Sequence, residues 1–79
     1  MQKIKSTFVA THGVMTEEVG VISGELELCT TCDTDGTLTL AITYVGAEEW
    51  YTLPGKYRIY DPRDHEVIHR ILVNVLERP

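Results

Sequence analysis

Four side chains that could hold a metal come in two pairs: Cys29 with Cys32, and His65 with His69. Together they read C-x2-C-x32-H-x3-H. Thiolate sulfur and imidazole nitrogen are the ligands that structural zinc sites gather tetrahedrally. If the pairs meet in space, zinc would staple the fold as a structural module. With Glu66 between them, the histidines also spell H-E-x-x-H, in which two histidines bind zinc and the glutamate activates water. That chemistry needs a third ligand and a cleft. Only ten residues follow His69, and Glu77 is the sole carboxylate among them. Arg63, Asp64 and Arg70 also put charge where the active-site helix of such enzymes is apolar. The residues do not support a protease.

Asp33-Thr34-Asp35-Gly36-Thr37-Leu38 resembles the D-x-D-G-T motif of haloacid-dehalogenase-like phosphatases, in which the first aspartate is a nucleophile. Those enzymes place it after the first strand of a large parallel α/β domain. Here it lies mid-chain between two strands expected to pair, so an Asp-Gly hairpin turn is the better reading. No serine or cysteine has the local context of a nucleophile, and no glycine-rich phosphate loop occurs. The sequence points away from an enzyme.

A second group of residues suggests binding. Five of the six aromatics, Tyr44, Trp50, Tyr51, Tyr57 and Tyr60, fall within seventeen residues. Adjacent Trp50 and Tyr51 cannot both point inward from a regular strand, so one is expected outside. Glu48 and Glu49 precede them, giving an acidic rim around an aromatic centre. Exposed Trp and Tyr are favoured anchors at protein interfaces. Glu48, Glu49, Trp50 and Tyr51 are therefore the candidate partner-binding patch.

At 79 residues the chain is sized for one domain, spanning 1–79. An apolar content of 43% with 24% charged residues is that of a globular domain. The net charge of −5 argues against direct nucleic-acid binding, which needs a basic footprint, and permits a basic protein partner. No stretch approaches a membrane span, and the N-terminus lacks the sustained apolar run of a signal peptide. A cytoplasmic location, with reduced or metal-bound cysteines, is the expectation.

These residues sit on elements the pattern suggests. Ile4 to Ala10 reads as a first strand, ended by Gly13. Val19 to Leu28 is a β-rich run. Thr37 to Tyr44 alternates cleanly, with Leu38, Leu40, Ile42 and Tyr44 on one face. Short strands are expected near 50–53 and 57–60. Asp61 can cap a helix with Pro62 at its first position. Val67, Ile68, Ile71, Leu72, Val75 and Leu76 then form one apolar stripe, with Val73 outside and His65 and His69 at its edge. Asp61-Pro62-Arg63-Asp64 also fits a hairpin turn, but the spacing favours the helix. The stripe is expected to pack on the sheet face of Leu26, Leu28, Leu40 and Ile42.

The fold expected is α+β: a four- or five-stranded, mainly antiparallel sheet with one C-terminal helix packed on one face. An all-β small barrel is the alternative. Pairing Leu28 with Ile42 leaves Thr34-Asp35-Gly36 as a three-residue loop with Gly36 left-handed. In that register Cys29 and Cys32 point to opposite faces and cannot share a metal, unless 29–36 leaves the ladder. The function expected is non-catalytic binding to another protein without a cofactor, as an adaptor or small inhibitor. Small acidic proteins of phages and mobile elements that block a host complex are the class-level analogy. The alternative is the zinc-stabilised module of Cys29, Cys32, His65 and His69. An exposed edge strand, such as the first, would also allow a homodimer.

Overall fold

The computed structural model describes residues 1–77. It is an α+β fold: an open, five-stranded antiparallel sheet with one C-terminal helix. Strands β1 (Gln2–Thr16), β2 (Gly20–Cys32), β3 (Thr37–Tyr44) and β4 (Tyr51–Thr52) lie in that order across the sheet. The fifth, β5 (Tyr57–Arg58), pairs with β3 beyond β4. A single 3-10 turn, Pro62–Asp64, leads into α1 (His65–Glu77).

Strand parity builds the core. Phe8 faces Leu26 across β1–β2, and Leu28 faces Ile42 across β2–β3, all on the side covered by α1. The expected hairpin register holds, with Asp33 N–H donating to Thr37 O and Gly36 N–H to Asp33 O. Gly36 has φ +90°, and a Cβ there would collide with the Ile59 carbonyl, so both backbone angle and space demand glycine. The opposite sheet face carries Lys3, Lys5, Glu27, Thr39 and Thr43; among the described residues no helix packs on it, and Thr43 is buried there with its hydroxyl donating to the Glu49 carbonyl.

The first strand does not end at Gly13. It runs on to Thr16 through an irregularity between Ala10 and Val14. Gly13, at φ +88°, bends the strand, as a bulge does, instead of terminating it. Val14 and Ile22 beyond the bend still reach the core. The hairpin tip then meets β4: Glu17 N–H donates to Thr52 O at 2.9 Å, and Thr52 donates to the Glu18 carboxylate from N–H and Oγ1–H, each at 2.7 Å.

The helix packs on the expected sheet face but turned about its axis. It lies over β1 and β2. Its inward residues are His65, Ile68, His69, Leu72, Val73 and Leu76, whereas Val67, Ile71 and Val75 are 55%, 55% and 58% exposed. At about 100° per residue, this is roughly a quarter turn from the stripe that apolar spacing alone predicts. Val73, expected outside, packs on the core. The cause is polar: both histidines find hydrogen-bond partners on the strands, and meeting those partners orients the helix.

Candidate functional site

The helix start places the histidines. Asp61 accepts from Arg63 N–H at 2.9 Å as the N-cap, and Pro62 supplies a fixed φ in the first turn. Bidentate contact with the Arg63 guanidinium holds the Asp61 carboxyl below its ordinary range. His65 is then the first residue of α1 and His69 lies one turn on, both facing the sheet.

Between them stands Thr30 of β2, fully buried. Its Oγ1 is 2.7 Å from His65 Nε2 and 2.8 Å from His69 Nδ1. The outer nitrogens reach β1: His65 Nδ1 is 3.1 Å from Gln2 Oε1, and His69 Nε2 is 2.8 Å from Ser6 Oγ. For neutral imidazole rings the partners allow one proton order. Gln2 Oε1 can only accept, so His65 Nδ1–H donates to it and His65 Nε2 accepts from the Thr30 hydroxyl. Thr30 Oγ1 in turn accepts from His69 Nδ1–H, and His69 Nε2 accepts from the Ser6 hydroxyl. The relay Ser6, His69, Thr30, His65, Gln2 then runs in one direction. Among the described residues, every buried side-chain polar atom has a partner. Desolvation, and then the neighbouring His65, lower the pKa of His69.

Ser6 also borders a shallow cleft of 530 Å³ with His69, Arg70 and Asn74. A hydroxyl on an imidazole is the geometry of a nucleophile and its base. Behind this imidazole, however, stands a neutral threonine rather than the carboxylate that would stabilise an imidazolium. The arrangement clamps helix to sheet: it satisfies five polar groups at once and fixes which helix face meets the strands.

The structure does not bring the four metal candidates together. Cys32 pairs with Gln2 and Leu38 on the helix side; Cys29 pairs with Lys5 and Ala41 on the other face. The ladder continues through Cys32, so no knuckle forms, and Thr30 fills the space between the histidines. Among the described residues no three His, Cys, Asp or Glu side chains converge as a metal site requires.

The acidic–aromatic patch is divided by the sheet. Tyr51 pairs with Ile42 and packs on the core, its phenol pKa raised by desolvation and by the nearby Glu49 carboxylate. Trp50 projects from the opposite face, with Lys5 Nζ 5.7 Å from its ring centre. Glu48 and Glu49 remain exposed beside it. Of the expected pair, Trp50 is the outer one.

Sequence reasoning missed Gln2, Ser6 and Thr30 as partners of the histidines. The signal was parity: each is a polar residue on the core-facing register of its strand, and Thr30, fully buried there, needs a partner. Also missed was the outward stripe of Val67, Ile71 and Val75. Beside it, Ile68 and Leu72 form one wall of a groove whose floor is Leu38 and Leu40. No helix is long and apolar enough to cross a membrane among the described residues. Comparison with known proteins gives no match to any family model, curated protein or solved structure.

Proposed function

We propose that this protein is a non-catalytic protein-binding module, an adaptor or small inhibitor, and that the outer flank of α1 is its principal contact surface. The observation that carries this reading is the orientation of the helix. A 13-residue helix spends its buried face partly on two histidines and leaves three β-branched aliphatics, one turn apart, in water. Aliphatic residues aligned in this way on a small domain mark a surface made to be covered. Trp50, Glu48 and Glu49 on the far side of the sheet would serve a secondary contact. The zinc-stabilised module has no comparable support, because its four residues do not meet.

The test is affinity capture with the intact chain and an Ile71→Asp/Val75→Asp variant. Both positions are solvent-exposed, so circular dichroism and melting should be unchanged while specific partners are lost. An unchanged set of captured proteins, or a variant that unfolds, would overturn the reading.

A further inference from the structure

The groove beside the exposed stripe narrows the kind of partner. It encloses 470 Å³ between α1 and the β3–β5 side of the sheet. Ile68 and Leu72 form the helix wall; Leu38, Leu40 and Ile59 lie opposite. The remaining lining residues are Lys56, Tyr57 and Arg58, so the groove carries two cations and no carboxylate. This is the reverse of the chain as a whole, which has 12 acidic and 7 basic residues. The only ion pair among the described residues is Arg63 with Asp61. Arg58 Nε donates to the Asp35 carbonyl, and the Asp35 carboxylate accepts from Thr37 N–H. Arg58 also acts on the Asp35 carboxylate through space without pairing with it, and Lys56 enters no ion pair among the described residues, so Lys56 is the principal charge the groove offers.

Backbone geometry selects the form of the occupant. Strands β4 and β5 are two residues each and are separated by Pro54, so this edge cannot template a long added strand. An α-helix laid along α1 could instead contact its length of about 20 Å. Resting on the reading of α1 as a contact surface, we propose that the groove binds an acidic amphipathic helix of a partner protein. Its apolar face would meet Ile68 and Leu72 in the groove and extend over the helix to Ile71, which borders the cleft on the other flank, and its carboxylates would reach Lys56 and Arg58. The apolar lining disfavours a nucleic-acid strand, whose phosphates would find two cations and little else.

Fluorescence anisotropy with the full chain tests this. Two labelled helical peptides would share one leucine face and differ only in a glutamate or a lysine polar face. The glutamate peptide should bind more tightly by about tenfold, and Lys56→Glu should remove that preference. Ile71→Asp should weaken both peptides. If the lysine peptide binds equally or better and Ile71→Asp still weakens it, the acidic occupant is wrong while the contact surface stands. If neither peptide binds, or Ile71→Asp changes nothing, the groove proposal fails. Displacement of the glutamate peptide by a single-stranded oligonucleotide would overturn it in favour of a phosphate ligand.

Discussion

Thr30 Oγ1 lies 2.8 Å from His69 Nδ1, joining the C-terminal end of β2 to the second turn of α1. Within the same hydroxyl's reach, at 2.7 Å, is His65 Nε2, so one buried oxygen ties two helical turns to the sheet. The directional relay makes this oxygen both donor and acceptor. Removing it leaves two ring nitrogens without partners in a site closed to water.

Thr30→Val keeps the shape of the side chain and deletes the hydroxyl. Each buried polar group left unsatisfied costs about 1–3 kcal/mol, so the variant should lose roughly 2–4 kcal/mol by urea denaturation. Thr30→Ser restores the oxygen and removes only a methyl group, with an expected loss of about 1 kcal/mol. Equal losses in the two variants would show that packing, not the relay, is what Thr30 contributes.

The same geometry sets a pH dependence. The folded-state pKa of His69 is depressed, by desolvation first and then by His65. On acidification the unfolded chain therefore takes up this proton before the folded one, and stability rises with pH wherever the unfolded state holds more protons. The contribution is fully present above the ordinary imidazole value of about 6.5 and is lost as pH falls from there toward the depressed folded value. A single group can change stability by at most about 1.4 kcal/mol per pH unit. The expected result is a melting temperature flat from pH 8 to 7 and falling below about pH 6.5. In His69→Gln that fall should shrink. A decline confined to pH below about 4.5 would instead point to the carboxylates.

The turned helix makes a contrast in stability. Ile71 is more than half exposed, and Ile71→Ser should change stability by no more than about 0.5 kcal/mol. Leu28 is fully buried against Ile42, and Leu28→Ala should cost about 2–5 kcal/mol. Apolar spacing alone would place Ile71 near the middle of the buried face. A loss at Ile71 approaching that at Leu28 would mean that the helix sits as the spacing suggests, with the histidines at its edge.

What was legible in the sequence follows from which signals are local. The β2–β3 hairpin could be read to the residue, because alternation and Gly36 fix its register together. The cap at Asp61 and Pro62 was equally local. Helix rotation was not, because it depends on Thr30, Ser6 and Gln2, which lie 35 to 63 residues away from their histidine partners. Counting apolar positions weighs a buried histidine as polar and assigns it to the rim. Gly13 misled for a related reason: a positive φ bends a strand as readily as it ends one, and the choice rests on whether Val14 and Ile22 can rejoin the core.

The cysteines offer the remaining test, since their separation on opposite faces is a claim about distance. Residues three apart along a strand have Cα atoms about 10 Å apart, whereas a disulfide tolerates at most about 7 Å. Oxidation of the folded protein should therefore produce no intramolecular disulfide, read as the absence of a two-hydrogen mass loss. A chelator should leave the melting temperature unchanged. The two thiols are buried by different neighbours. Cys32 belongs to the core beneath α1, whereas Cys29 lies on the face where Lys5 approaches the Trp50 ring. Trp50→Ala should thus speed thiol labelling at Cys29 and leave Cys32 protected, as peptide mapping after brief exposure to an alkylating reagent would reveal. Equal acceleration at both positions would indicate general loosening of the fold, and would remove Trp50 as the cover of the open face.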